Sequence, residues 1–247
     1  MSDPRVPLGD ALASEETKRV YVRRLFSTIA DRYDLITRAL SFGRDRAWKA
    51  RLVQSSGATR TTRALDLACG TGDIAFAMAA RGARVTGLDV TLRMLQLAQR
   101  KQGRDRDAVQ FVTGDMMALP FGDRAFDLVT TGYGIRNVPR IETALIEIRR
   151  VLRPGGVVLS LDFNRPSSRP VRAVYLGYLT IVGSALGWLL HRDPDTYRYI
   201  PESIRRYPGA AGVAQMMRQH GFIDCRVTPL LGGLMAINTG RVPNLIS

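Results

Sequence analysis

The chain has 247 residues, with 36 lysines and arginines against 22 acidic residues, so its formal net charge is +14 at neutral pH. Its length suits one α/β domain with a modest insertion. Cys69 and Cys225, the only cysteines, give neither a disulfide framework nor zinc-ligand spacing, and residues 1–20 lack the apolar run of a secretion signal. We therefore expect a cytoplasmic protein. Its positive charge favours nucleic acid or an acidic membrane surface as partner, unless it reflects codon usage.

The N-terminal part of the chain predicts a leader followed by helices. Residues 1–20 are expected to be a mobile leader, and apolar residues between Val20 and Trp48 recur at helical spacing. Tyr33 and Asp34 fall where one of these helices would end. Tyr33 could pack in the core while Asp34 caps the next helix, or both side chains could face a ligand site. The sequence leaves both alternatives open.

A short buried strand that ends in a glycine turn is the most informative stretch. Residues 64–73 read ALDLACGTGD, and an alanine-rich segment that predicts a helix follows. Gly70 and Gly72 leave bare backbone and can adopt angles that other residues avoid. Asp66 and Asp73 disfavour a pyrophosphate at this turn, because phosphate groups prefer a helix N-terminus without fixed negative charge. S-adenosylmethionine (SAM) suits the turn better, since it has ribose hydroxyls, an ammonium and a sulfonium but no phosphate.

Two more acidic residues follow at the ends of predicted strands. Asp89 ends the second strand, residues 84–89, and stands 19 residues after Gly70. An acid at this spacing can accept hydrogen bonds from both ribose hydroxyls. Asp115 follows the third strand, residues 109–113, and could accept from an adenine amine or serve as an ordinary turn residue. The presence of Asp89 upstream favours the functional alternative.

The fourth predicted strand, residues 126–131, leads into Gly132 and then into Arg136 and Asn137. In an open α/β sheet this strand end borders the crevice in which ligands bind. An adjacent arginine and asparagine at that place are therefore candidates for contact with a substrate.

The rest of the sheet domain is predicted from local patterns. An amphipathic helix over 141–152 is closed by an Arg-Pro-Gly-Gly stretch, and a central fifth strand covers 157–163. Two late strands over 222–228 and 234–239 form a predicted hairpin joined near a pair of glycines. These elements predict an α/β fold.

A long apolar run interrupts this domain. Residues 173–190 contain no charged side chain and just reach the length of a transmembrane span. Three glycines and two hydroxyl residues dilute the run, and the sheet is still unfinished, so we favour a buried or interfacial helical insert. Four arginines flank the run: Arg165, Arg169, Arg172 and Arg192. An apolar patch flanked by arginine is typical of a membrane-surface contact.

These motifs together resemble the UbiE/MenG family of SAM-dependent C-methyltransferases in ubiquinone and menaquinone biosynthesis, over about residues 26–240. The most specific parts are Gly-Ile-Arg-Asn-Val at 134–138 and the Tyr-Arg-Tyr loop at 197–199. Gly132 is a departure, because some relatives carry a serine there. The resemblance implies a class I SAM-dependent methyltransferase (Rossmann-like) fold with a seven-stranded sheet whose last strand is antiparallel. It also implies that residues 21–247 form one domain, with 164–206 as a helical lid over the substrate.

The resemblance also implies the reaction. A methyl group would pass from SAM to a ring carbon of a reduced polyprenyl quinone precursor, leaving S-adenosylhomocysteine (SAH), and an activated sulfonium needs no metal. Arg136 and Asn137 could stabilise or orient a phenolate, while Tyr197 and Arg198 could close over the ring. The residues expected to bind SAM are Asp66, Gly70, Thr71, Gly72, Asp89, Asp115, Met116 and Gly132.

Several partners and alternatives accompany this interpretation. The expected partners are the polyprenyl quinol and, peripherally, an anionic membrane surface, and a homodimer is possible. A basic RNA methyltransferase is the main rival, but the sequence lacks an Asn-Pro-Pro-Tyr or catalytic-cysteine motif for base methylation. Methylation of another small molecule, or an inactive methyltransferase-like domain, are further alternatives. The intact set of glycines and acids at the SAM motifs argues against the inactive domain.

Overall fold

The structure is a computed structural model that describes residues 14–102, 109–166, 168–192 and 196–244. Helix α1, Glu15–Ile29, begins at a capping box, because the Ser14 and Thr17 side chains each accept a hydrogen bond from the other's backbone N–H. This corrects the predicted leader over 1–20, since the cap at Ser14 makes its last six residues helical. Residues 1–13 lie outside the described part of the chain.

Two further helices precede the sheet. A short 3-10 turn, Ala30–Arg32, connects α1 to α2, Tyr33–Leu40, and α3 follows at Asp45–Ser56. The apolar positions predicted from helical spacing are buried, including Val22 and Ile36. These helices pack on the same apolar core as one face of the sheet.

The seven strands form one sheet in the order β3-β2-β1-β4-β5-β7-β6. The first five strands are parallel, and β7 is antiparallel to both β5 and β6. The predicted seven-stranded sheet with an antiparallel last strand is therefore confirmed. The last strand is antiparallel because a short turn joins it to β6, whereas a parallel pair needs a crossover. The strands are β1 (Arg63–Leu67), β2 (Arg84–Asp89), β3 (Val109–Thr113), β4 (Phe126–Gly132), β5 (Leu152–Phe163), β6 (Ile223–Leu230) and β7 (Met235–Arg241).

Strand β5 begins earlier than the predicted range of 157–163. The Arg-Pro-Gly-Gly stretch belongs to the strand, because Val242 exchanges backbone hydrogen bonds with Gly155 and Gly156 at 3.0 and 2.9 Å. By local propensity the Arg-Pro-Gly-Gly residues would only end the preceding helix. Backbone pairing with the neighbouring chain segment makes them part of β5 instead. The long strand carries its carboxyl end, at Asp162 and Phe163, into the ligand crevice beside β4.

Helices cover both faces of the sheet. Successive side chains of β1 point to opposite faces of the sheet, since Ala64 packs in one buried apolar cluster and Leu65 in the other. This double burial explains why the parallel strands are apolar on both faces. The connecting helices are α4 (Asp73–Ala79), α5 (Leu92–Gln102), α6 (Ile141–Val151) and α9 (Gly209–Gln219).

The described residues of the insert form two helices, α7 (Arg169–His191) and α8 (Tyr199–Arg206). Helix α7 is long and apolar enough to cross a membrane by length and composition. It packs against α2 and α8 through a buried stripe, and its opposite face is exposed. The buried stripe consists of Tyr175, Leu176, Leu179, Gly183 and Gly187. The exposed apolar residues are Val171, Val174, Ile181, Trp188 and Leu189.

Candidate active site

The glycine turn after β1 has the left-handed backbone that its sequence requires. Gly70 has φ +54° and Gly72 has φ +87°, a region that favours glycine. A Cβ on Gly72 would lie 2.6 Å from Cε2 of Phe76, so a side chain there would also collide with α4. The turn therefore exposes backbone at the carboxyl ends of β1 and β2, where a ligand can approach closely.

Asp89 is held in place at the end of β2 by two backbone donors. The N–H of Gly70 donates to Oδ2 at 2.9 Å, and the N–H of Thr91 donates to Oδ1 at 2.8 Å. Burial raises the pKa of this carboxyl group, and these two hydrogen bonds oppose the rise. The fixed carboxylate lines a cavity that opens to solvent, which we call the cofactor cavity; it has about 730 Å³ of empty space when the adjoining open solvent is included. Its lining includes Gly70, Asp89, Thr91, Asp115, Met116 and Gly132.

The far wall of the cofactor cavity is formed by Asp115 and Met116. Asp115 accepts a hydrogen bond from the N–H of Met117 at 2.9 Å, and its second oxygen lies 3.3 Å from Nε of Arg19 on α1. The buried hydroxyl of Thr91 has no hydrogen-bond partner within the described residues. The carboxylates of Asp89 and Asp115 and the Thr91 hydroxyl can accept hydrogen bonds from a ligand with hydroxyl and amine groups. The ribose and adenine of SAM carry such groups.

A smaller cavity, which we call the inner cavity, adjoins Gly70 on the side of β1. Asp66 lines it and is 1% exposed. The hydroxyl of Thr130 donates to its Oδ1 at 2.7 Å, but Oδ2 has no partner in the described part of the chain. Burial raises the pKa of Asp66 to about 7. An unpartnered buried carboxylate oxygen suits an ammonium group, which is what the methionyl end of SAM provides.

Thr71 and Gly132, also predicted to bind SAM, line the inner cavity, whereas Gly72 shapes the turn but is not a lining residue of the cofactor or inner cavity. The hydroxyl of Thr71 donates to Oδ1 of Asp34 at 2.7 Å. Gly132 lines both cavities, and a Cβ there would lie 2.6 Å from Cδ1 of Ile74. A serine at this place would therefore require Ile74 to move. Tyr33 faces both cavities, whereas Asp34 instead accepts from Thr71 and pairs with Lys101.

A third cavity is mostly apolar, and we call it the acceptor cavity; it has about 510 Å³ of empty space when the adjoining open solvent is included. Tyr33 and Tyr133 line all three cavities, and Asn137 lines both the cofactor and the acceptor cavity. The two larger cavities therefore meet at these side chains. The apolar walls of the acceptor cavity include Leu25, Ile29, Ile36, Leu40, Phe163 and Ile200.

Arg136 is buried at the edge of the acceptor cavity, where it forms an ion pair with Asp162. Its Nε donates to Oδ1 of Asp162 at 3.1 Å, and its backbone N–H donates to Oδ2 at 3.2 Å. The guanidinium also donates to Oδ1 of Asn137 at 3.2 Å and to the hydroxyl of Ser203 on α8. Burial opposes the charged form, but Asp162 together with Tyr199 and Tyr207 outweighs it, and the pKa of Arg136 is raised. Arg136 therefore stays positive and acts at the site largely through this network.

Asn137 is oriented by its neighbours. Its Nδ2 donates to the carbonyl of Tyr133 at 2.7 Å, and the hydroxyl of Tyr199 donates to its Oδ1 at 3.1 Å. Tyr133 has the left-handed φ of +61°, a strained angle of the kind that clusters at functional sites. Its hydroxyl donates to Oδ1 of Asp45 at 2.7 Å. The turn after β4 is thus held rigidly from both sides.

Of the two insert residues predicted to act at the site, Tyr197 lies at the acceptor cavity and Arg198 does not. Tyr197 is buried and lines the acceptor cavity, with its hydroxyl 2.9 Å from Nε2 of His191. Arg198 is exposed and does not line the three cavities. Tyr199, one residue further, is the side chain that reaches Asn137. Sequence reasoning missed Tyr199 and Ser203, because no local signal shows which face of a short helix meets a loop more than 60 residues away.

Replacing Tyr199 with phenylalanine should lower turnover several-fold while SAM affinity stays near that of the wild type. Only the donor to Asn137 is lost, and one such hydrogen bond contributes about 0.5–1.5 kcal/mol. Turnover assays and calorimetry with SAM check this result. Tyr175→Phe is the matched control, since it removes a buried hydroxyl that donates to the carbonyl of Leu234 away from the cavities. Equal effects of both variants would contradict a role for Tyr199 in orienting Asn137.

Among the described residues, no group of three or more histidine, cysteine, aspartate or glutamate side chains is placed to hold a metal ion. The expectation that the reaction needs no metal stays a prediction.

Comparison with known proteins gives consistent results. A family model described as the ubiE/COQ5 methyltransferase family matches residues 13–241. The chain is 35% identical over 232 residues to the demethylmenaquinone methyltransferase of Staphylococcus aureus, covering 93% of this chain and 96% of that protein.

The fold is similar to solved structures of SAM-dependent methyltransferases. One, from Thermotoga maritima, is described as a possible histamine N-methyltransferase and has a TM-score of 0.64 at 19% identity, with 88% of this chain and 98% of that chain covered. Another is the phosphoethanolamine N-methyltransferase 2 of Haemonchus contortus with SAM, which has a TM-score of 0.60 at 17% identity and coverage of 80% and 53%. At these identities the likeness shows the class I methyltransferase fold alone.

Proposed function

Because the chain belongs to the ubiE/COQ5 methyltransferase family and is a SAM-dependent methyltransferase of quinone biosynthesis, we propose that its acceptor is a demethylmenaquinol, a naphthoquinol with a polyprenyl tail. The observation that carries this proposal is the meeting of the cofactor and acceptor cavities at Tyr33, Tyr133 and Asn137. The apolar walls of the acceptor cavity suit a fused aromatic ring with a hydrocarbon tail. The Staphylococcus aureus relative, named for demethylmenaquinone, supports a naphthoquinol over a benzoquinol.

The residues of the cofactor and inner cavities would hold SAM by its hydroxyls and amines. When bound, SAM supplies a methyl group on a positively charged sulfur, which is already activated for transfer. The Asp89 carboxylate would accept hydrogen bonds from the ribose hydroxyls, and the Thr91 hydroxyl would donate one to the ribose. Asp115 would accept a hydrogen bond from the adenine amine, and Asp66 would accept one from the ammonium. The protein then contributes mainly position and electrostatics.

The loop after β4 would prepare the acceptor. A ring carbon of a quinol becomes nucleophilic when a neighbouring phenol loses or shares its proton. The positive charge of Arg136 stabilises a phenolate at the edge of the acceptor cavity, and Asn137 orients the ring or a water there. The apolar walls of the cavity exclude other water, which strengthens both interactions.

A direct assay tests this function. Purified protein with SAM should methylate a demethylmenaquinol, raising its mass by one methylene group and producing SAH. A benzoquinol with the same tail and bulk tRNA are the comparison substrates. Methylation of the benzoquinol at an equal rate would overturn the choice of ring, and methylation of tRNA alone would favour the RNA methyltransferase alternative.

We further propose that the protein is cytoplasmic and binds anionic membranes reversibly through α7. The exposed face of that helix carries Ile181 and Trp188, which are 72% and 67% exposed. Phe42, half exposed, stacks on Tyr178 of α7 with ring centroids 4.6 Å apart and widens this apolar surface. The flanking arginines would contact lipid headgroups, and the contact would bring the enzyme to its lipid substrate. A homodimer belongs to the same set of proposals, and light scattering would detect it.

Liposome binding should depend on both the arginines and the apolar face. The protein should stay soluble without detergent, co-sediment with anionic liposomes at low salt and release as salt rises, because salt screens exposed charges. Replacing Arg169 and Arg172 by alanine should remove about 1 kcal/mol each. Arg63→Ala with Arg84→Ala, at the amino ends of β1 and β2, is the control pair. Binding that ignores lipid charge and salt would contradict the electrostatic part, and extraction only by detergent would favour a transmembrane helix.

A further inference from the structure

The inner cavity contains a buried lysine that the proposed function does not use. Lys49 of α3 is 9% exposed and lines this cavity together with Asp66, Thr71 and Asp73. A buried ammonium is costly unless charged or polar partners compensate it. The groups around Lys49 must therefore compensate its charge at the inner cavity.

The partners of Lys49 account for two of its three N–H donors. Its Nζ lies 2.7 Å from Oδ2 of Asp45 and 3.0 Å from Oδ2 of Asp73. The other oxygen of Asp45 accepts from the hydroxyl of Tyr133, and the other oxygen of Asp73 pairs with Lys101. The ammonium also lies 5.8 Å from the centroid of the Tyr133 ring. A lysine ammonium has three donors, so one donor of Lys49 has no hydrogen-bond partner among the described residues.

Lys49 also stays charged. Burial alone would lower its pKa, but Tyr33, Asp45 and Asp73 together raise the pKa above its ordinary value. Its charge reaches across the inner cavity, since Lys49 acts to lower the pKa of Asp66. Within the part of the chain that the structure describes, the cavity therefore presents a cation with one unused donor and an acid whose Oδ2, on Asp66, has no hydrogen-bond partner.

We propose that Lys49 binds the α-carboxylate of the methionyl group of SAM, with Asp66 taking the ammonium, so that the inner cavity recognises an amino-acid zwitterion. The proposal rests on the proposed SAM site and assigns Lys49 a role in cofactor specificity. Its rival is a purely structural role, in which Lys49 only neutralises Asp45 and Asp73 beneath Tyr133.

Calorimetry with two ligands separates these roles. SAH carries the amino-acid group, whereas 5′-methylthioadenosine shares its adenosine and thioether but lacks that group. Lys49→Met should weaken SAH binding by at least about tenfold, since a hydrogen bond to a charged group is lost, and should leave 5′-methylthioadenosine binding unchanged. Lys101→Met is the matched control, because it removes the other lysine on Asp73 without touching the cavity lining. Equal losses for both ligands, or no loss for either, would overturn the proposal.

The wild-type protein provides a second test that does not depend on a folded variant. It should bind SAM at least about tenfold more tightly than decarboxylated SAM, which keeps the ammonium and sulfonium but lacks the carboxylate. Equal affinity for the two would overturn the role of Lys49 while leaving the SAM site intact. Failure to bind either SAM or SAH would instead overturn the assignment of the cofactor cavity itself.

Discussion

Replacing Arg136 by alanine is expected to destabilise the protein by about 3–5 kcal/mol, because the change leaves a buried carboxylate without its partner. Asp162 is 3% exposed and accepts hydrogen bonds from both the side chain and the backbone of Arg136. Turnover should fall by at least about tenfold, the typical loss when a preorganised charge at the reacting centre is removed. Urea denaturation, turnover assays and calorimetry with SAM measure the three quantities.

A double variant separates the two effects of Arg136. Arg136→Met combined with Asp162→Asn removes both charges, so it should recover most of the lost free energy of unfolding without recovering turnover. Recovery of turnover would show that Arg136 matters only for folding. A loss of SAM affinity equal to the loss of turnover would place Arg136 in the cofactor site instead.

The stability defect of Arg136→Ala should also depend on pH. Burial already raises the pKa of Asp162, and Arg136 opposes that rise. Without Arg136 the pKa rises further, so the folded variant holds a proton that the unfolded chain releases at lower pH. Stability of the variant should therefore fall as pH rises from the unfolded pKa of Asp162 toward its folded pKa, and the gap from the wild type should widen.

Asp89→Ala should weaken SAM binding by about 1–3 kcal/mol, because ribose hydroxyls would lose a charged acceptor. The substitution also frees the N–H groups of Gly70 and Thr91, which now fix the carboxylate. Asp127→Ala is the matched control, since Asp127 likewise accepts a backbone N–H, from Arg63 at 2.8 Å, but at the opposite end of β1. Unchanged affinity of the Asp89 variant by calorimetry would remove Asp89 from the cofactor site.

Local patterns in the sequence were enough to predict the frame of the site. The left-handed angles of Gly70 and Gly72 follow from residue type, and the place of Asp89 follows from the end of a short apolar strand. The late hairpin also follows from local signals, since two short strands separated by glycines must pair antiparallel. These features depend on neighbouring residues, which the sequence displays directly.

Only the tertiary structure decided which side chains complete the site. Asp162 meets Arg136 across 26 residues, Tyr199 meets Asn137 across 62, and Lys49 meets Asp73 across 24. Such pairs depend on how helices and strand ends come together, and the rotation of α3 or α8 by one residue would change them. The sequence by itself determined a SAM-type glycine turn and a long apolar helix. Packing decided that Arg136 pairs with Asp162, that Tyr199 rather than Arg198 contacts Asn137, and that one face of α7 stays exposed.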